Sequence, residues 1–151
     1  MRTLYLSCLT LVCLISSLTP AAWAADYSVT VANVIHKTIN NDNSCAPVSI
    51  TCWNTNGNGA KLQLPEALSR YAPGTVTFKG MTCTSLDIIA TCRYFQTIYT
   101  NKGRLSETSH GQWANDTRTA SCSANCHNAE IAITEVTAGN TSTQYPVINC
   151  K

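Results

Sequence analysis

Apolar and polar residues alternate along much of the chain with a period of two. Near the start, Tyr27, Val29 and Val31 stand between polar or small residues. Successive side chains of a strand point to opposite faces, so this pattern predicts a half-buried β-strand. Six further segments are predicted to be strands from their β-branched and aromatic content: Val48–Trp53, Gly74–Phe78, Asp87–Arg93, Tyr94–Thr100, Ile131–Val136 and Tyr145–Cys150.

Segments rich in asparagine and glycine separate these predicted strands. Both residue types tolerate the positive φ angles that tight turns require. The predicted turns are Asn40–Asn43, Asn54–Gly59, Asn101–Gly103 and Ala138–Asn140.

One segment, Leu64 to Ala72, has the spacing of a short helix. Leu64, Leu68 and Tyr71 would share one helical face, and Pro65 suits a first helical turn. The Pro-Gly pair that follows Ala72 would end such a helix. We therefore expect one short helix among the strands.

The first 24 residues resemble a cleaved secretory signal. Arg2 precedes an apolar run from Leu4 to Leu18, and Ala22 and Ala24 form the small-x-small pattern of a cleavage site. A membrane anchor is the alternative, but it needs about 20 apolar residues, and hydroxyl residues interrupt this shorter run. We predict a signal peptide at 1–24 and a single β-rich, disulfide-bonded domain at 25–151. The mature protein is then secreted or periplasmic and has no membrane span.

The predicted mature chain contains seven cysteines: Cys45, Cys52, Cys83, Cys92, Cys122, Cys126 and Cys150. In an oxidising compartment such a set predicts a disulfide framework, and the spacing alone leaves its connectivity open. Because seven is odd, one thiol is left over, and Cys150 beside the C-terminus is the candidate for joining two chains as a disulfide-linked dimer. The predicted fold class is mainly β: a disulfide-stabilised antiparallel β-sandwich or barrel with one short helix.

Charge is scarce and nearly balanced. The chain has ten basic and eight acidic residues, and charged residues make up 12% of it. This gives no electrostatic footprint for nucleic acid, which we exclude as a partner. A surface polar through hydroxyls and amides suits glycans, although the same residues also favour strands and turns. Asn115 and Asn140 stand in acceptor sequences for N-glycosylation.

Two aromatic residues stand in polar surroundings that fit a sugar site. Such a site needs amides and hydroxyls for directional hydrogen bonds and an aromatic face against the apolar side of the sugar. The segment from Trp53 to Asn58 supplies both, and Trp113 lies in a second polar segment. The alternative is that Trp53 belongs to the core, as large aromatics usually do, and that the asparagines form a turn.

Catalytic and metal-binding patterns are weak. His36, His110 and His127 stand in no recognised nucleophile or metal motif. Cys122, Cys126 and His127 offer three metal ligands, but cysteines of an exported protein more often form disulfides. We predict no catalytic residue, no metal site and no cofactor.

The segment from Cys45 to Cys92 carries an ordered series of short motifs. Cys52 is followed by Thr55-Asn56-Gly57, Leu62-Gln63-Leu64 with Leu68, Gly74-Thr75-Val76-Thr77-Phe78, Cys83 and Ile89-Ala90-Thr91-Cys92. This order resembles the cyanovirin-type lectins, small cysteine-bridged β proteins that bind mannose-rich glycans. The resemblance implies sugar contacts just after the second cysteine of each half, at Trp53, Asn54, Thr55, Asn56, Arg93 and Gln96. The cysteine spacings here are shorter than in that family, and the last three cysteines have no counterpart in it.

The sequence thus predicts a secreted, non-catalytic binding protein whose leading ligand is surface carbohydrate. The alternative is a secreted protein-binding factor, such as an inhibitor, adhesion subunit or host-directed effector, that uses an edge strand or loop. The expected partner is a glycan or an extracellular protein. The predicted ligand-binding residues are Trp53, Asn54, Thr55, Asn56, Arg93, Gln96 and Trp113.

Overall fold

A computed structural model describes residues 24–35, 43–69 and 72–151, which form nine strands and no helix. The strands are β1 (Tyr27–Asn33), β2 (Ser44–Trp53), β3 (Gly59–Gln63), β4 (Leu68–Ser69), β5 (Gly74–Phe78), β6 (Ser85–Thr100), β7 (Thr108–Ser123), β8 (Asn128–Ala138) and β9 (Thr141–Cys150). The described residues also include no helix that could span a membrane. The predicted leader before Ala24, His36, Tyr71 and most of the predicted turn at 40–43 lie outside these ranges.

All nine strands belong to one nearly closed, barrel-like sheet. Its order is β3-β2-β6-β9-β8-β1-β5, with β4 beside β2 and β7 beside β6. The prediction of a mainly β fold is therefore confirmed. The sheet is not purely antiparallel, because β1 lies between β5, its antiparallel partner, and β8, its parallel partner.

The long strand β6 organises the molecule. It pairs along its whole length with β7, while its other edge pairs first with β2 and then, at Ile98–Thr100, with β9. Its buried side chains alternate with more exposed ones from Leu86 to Gln96 and form much of the core. The strands predicted at Asp87–Arg93 and Tyr94–Thr100 are thus confirmed, and they form one continuous strand.

The other predicted strands lie within β1, β2, β5, β8 and β9, and three observed strands were not predicted: β3, β4 and β7. The three predicted turns that fall within the described residues are observed, and further turns follow β5 and β7. Gly57, Gly103 and Gly139 have positive φ angles of 75°, 76° and 60°, and Asn101 has a φ of 53°.

The predicted helix from Leu64 to Ala72 is wrong. Leu64 and Leu68 are 4% and 2% exposed, and both pack into the core. The Leu64 amide donates to the Val48 carbonyl at 2.9 Å, and Leu68 lies opposite Cys45 in the β2–β4 pair. A helix this short is marginal by itself, so sheet hydrogen bonds and the burial of both leucines prevail.

Three disulfides join the strands. Cys45–Cys92 links β2 to β6, Cys52–Cys83 links β2 to the segment before β6, and Cys122–Cys150 links β7 to β9. Within the described chain Cys126 is the cysteine without a disulfide, and it is buried. The predicted framework is confirmed, but the leftover thiol is not Cys150, because the β8–β9 hairpin brings the end of β9 beside the end of β7. Such a framework is consistent with an oxidising compartment.

Candidate functional site

The outer face of the β6–β7 pair carries two of the predicted ligand-binding residues, Arg93 and Trp113. Residues directly opposite each other on paired strands share a face. The β6–β7 register sets Arg93 opposite Asn115 and Phe95 opposite Trp113. On β6 these positions alternate with buried Cys92, so they point away from the core.

Three side chains on this face form what we call the aromatic patch: Arg93, Phe95 and Trp113. The Phe95 and Trp113 rings meet edge to face, with centroids 5.6 Å apart and planes at 80°. The Arg93 guanidinium carbon lies 4.6 Å from the Trp113 ring centroid, within cation–π distance. Trp113 is nevertheless 38% exposed, which leaves part of the indole open to a ligand.

Gly111 allows the patch to lie close to the strand. It lies opposite Thr97, which is two residues after Phe95 on β6 and therefore on the same face of the β6–β7 pair. A Cβ atom on Gly111 would lie 2.1 Å from Cε1 of Phe95, far inside van der Waals contact. Because Gly111 has no side chain, the Phe95 ring can lie across the backbone of β7 at this position.

The surroundings of the patch are polar and mostly uncharged. Asn115 is exposed next to Trp113, and the Thr91 and Thr117 hydroxyls are joined by a hydrogen bond of 2.9 Å. The patch and the neighbouring Asn115 thus present a part-open indole, a guanidinium and a side-chain amide on one face of the β6–β7 pair. Such a set can stack against an apolar ring face and donate directional hydrogen bonds to hydroxyls.

Trp53 lies far from this patch and is held by its own contacts. Its Nε1 donates to Asp87 Oδ2 at 2.7 Å, and its ring lies over Gly59, where a Cβ would be 2.7 Å from Cζ3. It pairs with Ser85 on β6, ten positions before Phe95, which corresponds to roughly 30 Å along a strand. The two tryptophans therefore do not form one site.

The predicted residues after Trp53 build a turn. Asn54 Oδ1 accepts hydrogen bonds of 3.0 Å from the amides of Asn56 and Asn58. The Asn54 carbonyl accepts a third bond, from the Gly57 amide, at 3.0 Å. The side chain of Asn54 is thereby committed to the turn, while Thr55 and Asn56 are exposed at its tip.

Gln96 points to the other side of β6. It is 9% exposed, and its Nε2 donates to the Tyr94 hydroxyl and to the Gln144 carbonyl, each at 3.2 Å. The bond to Gln144 links β6 to β9 next to the point where their backbones pair. Of the seven predicted ligand-binding residues, the structure therefore brings together Arg93 and Trp113, and it places the other five elsewhere.

A groove between β7, β8 and β9 was not predicted. Its volume is about 540 Å³, and its lining includes Arg118, Thr134, Val136 and Tyr145. Arg118 Nη2 lies 2.5 Å from Asp116 Oδ2, and the guanidinium carbon lies 5.2 Å from the Tyr145 ring centroid. The sequence feature that could have indicated this groove is the spacing of Asp116 and Arg118, because residues two apart lie on the same face of a strand.

Cys122, Cys126 and His127, the metal-ligand set that the sequence offered as an alternative, are not all brought together. His127 Nδ1 lies 3.1 Å from the Ser28 carbonyl oxygen, and its ring centroid lies 4.7 Å from that of Tyr27, with the two planes tilted by 34°. Within the described part of the chain, the one cluster of metal-type ligands is instead Cys122, Cys126 and Cys150. Two of its sulfurs are already joined in a disulfide.

Comparisons of the chain with protein-family models, with curated proteins and with solved structures gave no match. The resemblance to cyanovirin-type lectins stays a prediction, because these comparisons neither support nor contradict it.

Proposed function

We propose that this protein is an exported carbohydrate-binding protein and that it binds sugar through the aromatic patch. The observation that supports this most is the part-open indole of Trp113 beside Arg93 on the outer face of the β6–β7 pair. A sugar ring stacks its C–H face on an indole, and neighbouring planar donors bind its hydroxyls. The scarcity of charge around the patch favours a largely uncharged glycan.

The guanidinium beside the indole has a defined role in this proposal. Arg93 is held over the Trp113 ring, and its five N–H donors lie in a fixed plane. Donors that are already oriented lose little conformational entropy when a ligand binds. Phe95 supports the indole from the side and limits its motion. The patch is therefore ordered before the sugar arrives.

The test uses the mature chain, residues 25–151, on a glycan array, followed by calorimetric titration with the strongest hit. Trp113→Ala is expected to weaken binding at least about tenfold, which corresponds to about 1.4 kcal/mol. Trp53→Phe is the matched control, since it changes a tryptophan outside the patch, and it should bind as the unaltered protein does.

Tyr145→Ala locates the site independently, because Tyr145 lines the groove and not the patch. Sugar binding that survives Trp113→Ala and is lost in Tyr145→Ala would place the site in the groove and refute the patch. Absence of any saccharide binding by the unaltered protein would refute carbohydrate binding altogether.

A second candidate function, recognition of an extracellular protein, is favoured by β7. This strand has 16 residues, and in the described chain it forms ladder hydrogen bonds with β6 alone. An open edge of this length can accept a strand from a partner. A purified partner that slows hydrogen exchange along β7, and whose binding survives Trp113→Ala, would support this function over the first.

A further inference from the structure

Three sulfur atoms meet where β7, β8 and β9 come together. Cys122 lies near the end of β7, Cys126 lies in the turn before β8, and Cys150 ends β9. Their Sγ atoms all lie within 4.8 Å of one another. Cys122 and Cys150 form a disulfide, and Cys126 is a thiol. A nucleophilic group is thus held beside a bond that it can attack.

The three sulfurs differ in their access to solvent. Cys122 and Cys126 are 5% and 3% exposed, whereas Cys150 is exposed. The Cys126 thiol donates to the Asn128 carbonyl at 3.3 Å, and the same carbonyl accepts the Lys151 amide at 2.7 Å. The Asn128 carbonyl thus binds both the buried Cys126 thiol and the backbone amide of the residue that follows Cys150.

The turn between β7 and β8 brings Cys126 close to Cys122. The Cys126 amide donates to the Ser123 carbonyl at 3.1 Å, which closes this turn. Tyr27 supports it from β1, because its hydroxyl lies 2.8 Å and 2.6 Å from the carbonyl oxygens of Ala124 and Cys126. The thiol is positioned by the fold and not by a mobile loop end.

We propose that Cys126 and Cys150 exchange places as the disulfide partner of Cys122. The Cys126 thiolate attacks Sγ of Cys122 and forms a new S–S bond, while the Cys122–Cys150 bond breaks. The electron pair of that bond leaves on Sγ of Cys150, which takes up the proton. One disulfide and one thiol are present before and after, so the step needs no oxidant.

The exchange turns a buried thiol into a surface thiol and makes Cys150 a modification site. The Cys150 thiolate then attacks an external low-molecular-weight disulfide, RSSR, such as oxidised glutathione. It forms the mixed disulfide Cys150–S–S–R and releases RS⁻, so that two disulfides are again present on each side of the reaction. Once Cys150 carries the mixed disulfide, it has no thiolate left to attack the Cys122–Cys126 bond, so the modification holds the exchanged pairing in place.

Peptide mapping distinguishes the two labelling positions. The mature protein is incubated with oxidised glutathione at about pH 8, where thiolates are appreciably populated, and is then quenched with acid. Trypsin and a glutamate-specific protease place Cys122 and Cys126 on peptide 119–130 and Cys150 on peptide 136–151. We expect glutathione on peptide 136–151 and an internal disulfide in peptide 119–130. Glutathione on peptide 119–130, with that peptide still joined to 136–151 by the Cys122–Cys150 disulfide, would overturn the proposal. A protein that takes up no glutathione would overturn it as well.

Two variants supply the controls. Cys126→Ser removes the attacking thiol and should reduce uptake to background, whereas Ser123→Ala alters the same turn, keeps all three sulfurs and should leave uptake unchanged. Unchanged uptake in Cys126→Ser would refute the exchange. If that variant does not fold, Cys150→Ser exported into an oxidising compartment gives a second test. It should contain a Cys122–Cys126 disulfide, and two alkylatable thiols at these positions would refute the proposal.

Discussion

The two tryptophans that the structure describes, Trp53 and Trp113, show how neighbours set the role of a residue. The Trp53 indole N–H is satisfied by Asp87 at 2.7 Å, and its ring covers the backbone at Gly59. Trp113 has part of its ring open and contacts Arg93 and Phe95. Both stand among polar residues in the sequence, so their difference comes from cross-strand partners that are distant along the chain.

Asp87 is the residue whose removal tests the anchoring of Trp53. Its carboxylate accepts from Trp53 Nε1 and, at 2.6 Å, from the Ser121 hydroxyl. Asp87→Ala leaves the half-buried indole N–H without a partner, and we expect a loss of about 1–3 kcal/mol in the free energy of unfolding. Urea denaturation measures it. Ser121→Ala, the control, breaks one of the two bonds and should cost about 1 kcal/mol. Equal stability of Asp87→Ala and the unaltered protein would contradict this account.

At the scale of elements, most strands rich in apolar, β-branched residues were predictable, whereas the long strand β7 was not. Most side chains of β7 are exposed, and its sequence has no apolar period. Its pairing with β6 depends on β6 having a free edge, which no local pattern in β7 encodes. The helix prediction from Leu64 to Ala72 was wrong although a local pattern was present. The leucine spacing fits a helix, but the backbone forms hydrogen bonds with the sheet instead.

The junction of β1 and β5 gives an acid-sensitive contact. Asp26 precedes β1, and it accepts from Lys79 Nζ at 2.7 Å and from the Gly80 amide at 2.9 Å, just after β5. The Lys79 hydrogen bond, followed by the Gly80 amide, lowers the pKa of Asp26 below 3.8. A lowered folded-state pKa means that this contact stabilises the fold above about pH 4 and is lost as the pH falls through the folded-state pKa.

We therefore expect the free energy of unfolding of Asp26→Asn to decrease less than that of the unaltered protein as the pH falls below about 4. The measurement is the urea midpoint from pH 7 down to pH 2.5, roughly the range over which carboxylates titrate. Glu66→Gln is the control, because it removes an exposed acid that lies outside the strands. An unchanged acid profile in Asp26→Asn would show that the Lys79 and Gly80 contacts do not contribute.

At the scale of the whole molecule, the disulfides reinforce the β2–β6 pair from both ends. Cys45–Cys92 and Cys52–Cys83 close loops with sequence separations of 47 and 31. The cysteine count predicted a framework, but the connectivity follows from the register that places Cys45 opposite Cys92. That register is set by packing across the barrel, which no local pattern shows.

Removing either of these bridges should destabilise the protein to a similar extent. The chain-entropy account gives about 3–4 kcal/mol for each, because the cost grows only slowly with loop length. Urea denaturation of Cys45→Ala/Cys92→Ala and of Cys52→Ala/Cys83→Ala tests this. Cys126→Ala is the control, since it removes a buried sulfur without opening a bridge. A loss below about 1 kcal/mol for either pair would contradict the stabilising role assigned to that bridge.

The candidate site was predictable as residue types and not as an arrangement. Exposed aromatics with planar polar neighbours were expected, and both Arg93 and Trp113 were among the predicted residues. They meet because β7 pairs with β6 in a register that sets Trp113 opposite Phe95, two residues after Arg93. Phe95 and Gly111 complete the patch, and their roles follow from the same pairing.

Trp113 fluorescence tests the proposed sugar contact most directly. The mature Trp53→Phe variant retains Trp113 as its one tryptophan, since Trp23 belongs to the predicted leader. Titration with the glycan selected by the array should give a saturable blue shift of the Trp113 emission, at the concentrations where calorimetry shows binding. Calorimetric binding with no change in that emission would show that the sugar binds elsewhere and would contradict the proposed site.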